Sequence, residues 1–415
     1  MIEFSRFILE NGLKVLVQED FSTPVVAINV LYDVGSKDES PELTGLAHLF
    51  EHLMFGGSKN IKDFDTPIQQ AGGECNAFTN SDITNFYITL PVENIEIAFW
   101  LESDRMKSLS FSKKSLKTQQ KVVIEEFKET TLNEPYGDMW HHLSEMSYKT
   151  HPYRWPTIGL EIDHISKVTV EDIKNFFYHH YCPNNAILVV SGPVKELQIK
   201  ELCEKWFSDI PMGEIPKRAF LFDKKEKEER KEIKAPVPSN AIYMAFNMPE
   251  RLHPDYYTYD LISDILSNGR SARLFQKLVK ENHLFSYIDA YLYGSIDPGI
   301  FIIEGRLLDE VSLEEAERAI WEELEKLKTT PIEENELQKL QNQVESTLIF
   351  SETGVQNKAT NLAYFELVGD ANLINTEAKL YQEVTIENIQ KVANQTFRKE
   401  NLSVLTYLKN SDKKI

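Results

Sequence analysis

Residues 44–57 read TGLAHLFEHLMFGG, with His48 and His52 flanking Glu51 among Leu46, Leu49, Phe50, Leu53 and Met54. In a helix the two histidines, four residues apart, lie about 40° from each other on one face, and Glu51 sits beside that face. Two readings compete. Either the helix is two-sided and the histidines are a solvated polar edge, or they converge on a metal. Most of the helical circumference is apolar, which predicts burial, and buried histidines need partners. Two imidazoles at this spacing can hold one zinc ion while the neighbouring carboxylate reaches water at the metal. The order H-x-x-E-H, the reverse of H-E-x-x-H, is the inverzincin signature.

A zinc site of the hydrolytic kind needs a third protein ligand. The segment KTQQKVVIEEFKETTLNEPYGDMW begins as a strong helix with Leu116, Val123 and Phe127 on its apolar side. Glu126 follows Val122 by four and Val123 by three, against the buried edge, while Glu125 and Glu129 fall with Lys121 on the wetter side. Helical phase selects Glu126.

The surrounding chain has 415 residues, more than one ordinary hydrophobic core accommodates, so two or more domains are expected. Between Trp206 and Asn240 the character shifts to SDIPMGEIPKRAFLFDKKEKEERKEIKAPVPSN, a proline-bounded run of mixed charge. This predicts a domain over 1–213, a linker over 214–234 and a second domain over 235–415. Strands such as VVAINVLYDVG, AILVVSGPV and AIYMAFNMP alternate with helical patterns. The expected class is α+β with mixed or antiparallel sheets. The opening MIEFSRFILENGLKVLVQED reads as an edge strand, an NG turn and a second strand, without the design of a signal peptide.

One half laid on the other reveals a duplication. HLFEHLMFGG at 48–57 pairs with DLISDILSNG at 260–269. Beyond it, each half has a strand end, a long amphipathic helix, a short turn and a second long helix. His48 and His52 face Asp260 and Asp264, and Glu126 faces Thr347. Only the first copy could hold a metal.

Composition excludes several classes. A formal charge of −20 disfavours nucleic acid, whose phosphates need a basic surface. No apolar run approaches the roughly 20 residues of a membrane span. Three scattered cysteines, Cys75, Cys182 and Cys203, argue against a disulfide framework and make a cytoplasmic location the simplest reading.

Three segments, GLAHLFEHLMFGGS, GGECNAFTNSDITNFYITLP and KVVIEEFKETTLNEPYG, together resemble successive motifs of the pitrilysin, insulysin and mitochondrial-processing-peptidase family. The resemblance extends to GRSARLFQKLVKENHLFSY in the second half. It implies His48 and His52 as ligands of one zinc ion per chain, Glu126 as the third ligand and Glu51 as general base. It also implies two similar α+β domains that form half of a clamshell, completed by a second chain in a homodimer or heterodimer. Asn76, Ala77, Phe78 and Thr79 follow a Gly-Gly turn and could open a strand at a sheet edge, and the resemblance implies that Asn76, Ala77 and Phe78 pair there with substrate backbone.

Two departures from the family pattern stand out. Gln119 occupies the position, seven before the third ligand, where the family usually has a glutamate, and such neighbours tune a metal. Lys280 and Tyr287 stand where the family has an arginine and a tyrosine that hold substrate and the developing oxyanion. Lysine lacks the planar fork of arginine, so a related partner chain is expected to supply that pair. The expected activity is zinc-dependent cleavage of unfolded peptides inside a closed chamber. The competing expectation is a non-catalytic scaffold subunit of a peptidase-like assembly, since fold does not fix function.

Overall fold

The computed structural model describes residues 1–222 and 224–410. The first half runs β1 (Ser5–Ile8), β2 (Lys14–Glu19), β3 (Val25–Tyr32), α1 (Leu46–Phe55), α2 (Asp65–Gln70), β4 (Glu74–Thr79), β5 (Thr84–Pro91), α3 (Ile95–Lys107) and α4 (Lys113–Phe127). It continues through α5 (Met139–Ser147), α6 (Ile162–Lys167), α7 (Val170–His180), β6 (Ala186–Gly192) and α8 (Glu196–Phe207). The second half contains β7 (Glu229–Ala235), β8 (Ala241–Asn247), α9 (Tyr256–Ser267), β9 (Phe285–Tyr293), β10 (Ile300–Leu307), α10 (Leu313–Thr329) and α11 (Glu334–Ser351). It closes with α12 (Val355–Val368), α13 (Leu373–Gln382), α14 (Ile386–Thr396) and β11 (Leu402–Lys409).

Two mixed sheets result, in the orders β1-β2-β6-β3-β5-β4 and β7-β11-β8-β10-β9. Setting aside β1, the two orders superimpose strand for strand. In each, one pair is parallel, β2 with β6 and β7 with β11, and the rest are antiparallel. The class is α+β, as the alternation of patterns predicts.

The duplication extends to single hydrogen bonds. Gln120 on α4 donates its amide to the carbonyls of Ile165, Ser166 and Val168 at 2.8, 3.2 and 3.0 Å. Gln341 on α11 donates to those of Tyr381, Gln382 and Val384 at 3.0, 3.3 and 3.0 Å. Asn185 bonds the carbonyls of His180 and Asp33, and Asn401 bonds those of Thr396 and Asn247. Thr169 and Thr385 cap α7 and α14 through the same reciprocal pair of bonds. In each copy a buried amide satisfies carbonyls that would otherwise be stranded. Gln120→Leu and Gln341→Leu are therefore each expected to cost about 1–3 kcal/mol. Urea denaturation checks this, and a loss indistinguishable from zero for either would contradict the buried-amide role.

The chain forms two compact units, neither of which is one run of sequence. One comprises Met1–Phe127, Trp155–Phe220 and Ile349–Thr376; the other comprises Lys128–Arg154, Leu221–Leu348 and Glu377–Ile415. The reason is an exchange. In the first unit α12 lies across β3 and β6, where Thr360 donates to Asn29. In the second, α5 lies across β8 and β11, burying Met139, Leu143 and Met146 against Ala241, Tyr243 and Leu405. The helices that occupy equivalent places in the two repeats thus serve each other's sheets.

The linker expected over 214–234 is shorter than its composition implied. Glu229–Ala235 is a strand, paired in parallel with β11 at the edge of its sheet. Its burial alternates residue by residue. Charged side chains suit the solvent face of an edge strand and guard it against further pairing, so ERKEIKA reads as linker while folding as strand. Arg218, also within the expected linker, is fixed to the first unit by bonds to Asp33 and Asp38 at 2.7 and 2.6 Å. GLEIDHISKVTVEDI, which reads as a loop entering a capped helix, carries the short helix α6 before the cap at Thr169. No helix among the described residues is long and apolar enough to cross a membrane.

Candidate metal centre

The site is assembled within the first unit. On α1, Leu46, Ala47, Leu49, Phe50, Leu53 and Met54 are buried, while His48, Glu51 and His52 are only partly covered. The helix is therefore the mostly buried element that its composition predicts, with one polar edge. It starts at Gly45, whose φ of +86° suits glycine and whose added Cβ would stand 2.8 Å from the Ile158 carbonyl. In place of a side-chain cap from Gly45, the carboxylate of Glu39 accepts the Gly45 and Ala47 N–H groups at 2.9 and 2.7 Å. These are orphan donors of the first helical turn.

Glu126 comes from the last turn of α4, just before the π-helical segment Lys128–Asn133. Val123 is fully buried, as the phase argument requires. Val122, also taken as a marker of the buried edge, is 45% exposed. The selection of Glu126 rests on Val123 and Phe127 alone.

The three side chains converge. His52 Nε2 lies 3.4 Å and His48 Nε2 3.7 Å from the Glu126 carboxylate oxygens, and the two imidazole rings are 4.9 Å apart. One ligand atom from each of the three lies within 4.8 Å of the others. In a tetrahedral zinc site with bonds of about 2.0–2.1 Å, ligand atoms sit about 3.3–3.4 Å apart. The donor set and its spacing fit zinc. Among the described residues, no other trio of histidine, cysteine, aspartate or glutamate side chains converges in this way.

Electrostatics favours the ligating forms. Burial lowers the pKa of His48, against the opposing pull of the Glu126 charge, so neutral imidazole is preferred. The Glu126 carboxyl is held below its ordinary range, chiefly by its hydrogen bond with His52. Glu51 is pushed upward by burial, and the hydroxyl of Thr79 opposes this by donating to its Oε2 at 2.5 Å. A carboxylate with a raised pKa accepts a proton more readily, as a general base must.

β4 is the edge strand beside this site. Glu74, Asn76 and Phe78 are exposed, whereas Cys75, Ala77 and Thr79 turn inward. The Ala77 N–H is taken by Asn76 Oδ1 at 2.9 Å. Burial pushes the Cys75 thiol up to about 12, so it is a poor nucleophile. Gln119, two turns before Glu126, lies beside Gly56 at the end of α1.

Other expected residues are placed elsewhere. Lys280 and Tyr287 belong to the second compact unit, not to the one that holds the histidines. Lys280 Nζ lies 5.6 Å over the Phe275 ring. Tyr287 is 46% exposed and donates its hydroxyl to Asp289 at 3.1 Å. Burial and the Asp289 charge keep that phenol protonated. His151 is almost wholly buried, stacked on Phe222 and 3.5 Å from Asp297. In the second repeat, Asp260 accepts from Tyr381 at 2.6 Å and Asp264 from Asn268 at 2.8 Å.

The bond from Thr79 to Glu51 and the cap from Glu39 escape a reading by motif. Thr79 is the one polar residue on the inner face of an alternating strand, a signal the sequence does contain. Glu39 precedes its helix by more residues than a capping box allows, so only the folded loop reveals it.

Comparison with known proteins places these features in a lineage. Residues 14–159 match the family described as insulinase (peptidase family M16), and residues 167–344 match the peptidase M16 inactive domain. Over 409 residues the chain is 30% identical to the zinc protease PqqE of Helicobacter pylori, covering 97% of this chain and 91% of that one. The crystal structure of a protease from Helicobacter pylori superimposes with a TM-score of 0.94 at 27% identity, covering 98% of this chain and 99% of that one. The periplasmic protease PqqL of Escherichia coli shares the fold, with a TM-score of 0.81 at 17% identity. That match covers 99% of this chain and 48% of PqqL.

Proposed function

Since the chain belongs to the M16 family of zinc peptidases, we propose that it is a zinc-dependent endopeptidase acting on unfolded peptides. His48, His52 and Glu126 are its metal ligands. The convergence of those three side chains, with Glu51 beside them on the same helix, carries the reading. Zinc held there supplies Lewis acidity, which polarises a peptide carbonyl and eases proton loss from water.

The chain's own residues do the rest. Asn76, Ala77 and Phe78 on the free edge of β4 take substrate as an added strand, which recognises backbone and tolerates varied side chains. Glu51 accepts the proton of the attacking water and passes it to the leaving amine. A second chain closes the chamber: a related one provides the arginine–tyrosine pair that Lys280 and Tyr287 only partly reproduce, whereas an identical one offers Lys280 and Tyr287 again. The fold correspondence with about half of PqqL supports this arrangement. Three unpaired cysteines support a cytoplasmic location.

A quenched fluorescent peptide library tests the activity. About one zinc per chain is expected, with cleavage abolished by a chelator and restored by zinc. Near-zero zinc and no cleavage after a zinc-supplemented preparation would contradict the proposal and favour a scaffold subunit.

A further inference from the structure

One short segment braces the hairpin of β4 and β5 to helix α1. From Gly35 to Glu39 the chain touches both elements. Ser36 and Lys37 donate their N–H groups to the carbonyls of Asn80 and Ser81, at the turn that ends β4. Lys37 Nζ meets Asp82 at 2.6 Å, with both side chains almost fully buried. Gly35 packs so tightly on this turn that an added Cβ would lie 2.5 Å from the Asn80 carbonyl oxygen. Two residues past Lys37, the Glu39 carboxylate holds the first turn of α1. The buried ion pair is well suited to fixing register, because breaking it strands a charge. Between the braced elements, at the last residue of β4, Thr79 donates to Glu51.

We infer that Thr79 is a positioning residue for Glu51: its hydroxyl, held by the 35–39 brace, fixes the direction in which the Glu51 carboxylate faces. The inference rests on the peptidase reading above. It links two jobs given to separate elements, because the strand proposed to take substrate ends in the residue that orients the base. Thr79 touches neither substrate nor metal in this scheme, so its loss changes turnover without changing binding.

The test compares wild type with Thr79→Val, which keeps the shape but removes the hydroxyl, and Thr79→Ser, which keeps the hydroxyl. Thr79→Val is expected to lower kcat about 10-fold, with KM and zinc content unchanged, and Thr79→Ser to recover most of the loss. Thr79→Ala is read in the same way if the valine variant does not fold. Crystal structures of the metal-free proteins give a readout independent of activity. Glu51 is expected in one rotamer on residue 79 in wild type and Thr79→Ser, and displaced in Thr79→Val. An unmoved Glu51 with wild-type kcat in Thr79→Val, or a serine variant as slow as the valine one, overturns the inference alone. A wild type that binds zinc and cleaves nothing overturns the peptidase reading, and with it the role given to Thr79.

Discussion

Glu51→Gln is expected to keep about one zinc per chain and to lose peptide cleavage by about 10²–10⁴-fold, the range supplied by a positioned general base. The substitution is nearly isosteric. Its amide oxygen still accepts from Thr79, so the contact between α1 and β4 survives. The proposed ligands His48, His52 and Glu126 are untouched. What disappears is the ability to take a proton from water and return it to the leaving amine. Metal analysis and initial rates on a single quenched peptide check both halves. Near-normal cleavage with zinc in place would remove Glu51 from the mechanism. Loss of zinc would give it a ligand's role.

His52→Ala and Glu126→Gln form the complementary prediction. Each is expected to weaken zinc binding by more than about 10²-fold, since partners one shell further out already cost 10–100-fold. Neither group belongs to the core. The His52 side chain is 25% exposed and that of Glu126 39%, so both variants are expected to fold with near-wild-type thermal stability. Asp264→Ala, at the position equivalent to His52 in the second repeat, is the control and is expected to leave zinc affinity unchanged. Competition with a chelator of known affinity measures all three. Wild-type affinity in Glu126→Gln would dismiss the third ligand.

The convergence of His48, His52 and Glu126 was more legible in the sequence than the path of the chain. Helical period places His48, Glu51 and His52 on one edge of α1, and Val123 with Phe127 sets the phase of Glu126. These are local relations, and the fold preserves them. The exchange of α5 and α12 between sheets is tertiary. α5 carries a clear apolar stripe and α12 only a weak one, and nothing in their own residues states which sheet receives them. β7 was hidden for the opposite reason, because its charges suit an exposed edge as well as they suit a linker. Burial of His151 depends on Phe222 and Tyr153 folding over it, and Phe222 lies far along the chain. The bond from Thr79 to Glu51 joins two elements whose meeting is fixed by a third segment, 35–39.

Diffraction from crystals grown with zinc, recorded on both sides of the zinc absorption edge, tests the central claim most directly. One anomalous peak is expected within about 2.0–2.2 Å of His48 Nε2, His52 Nε2 and a Glu126 carboxylate oxygen, and none beside Asp260 and Asp264. A peak at other residues, or none at the three side chains, would contradict it.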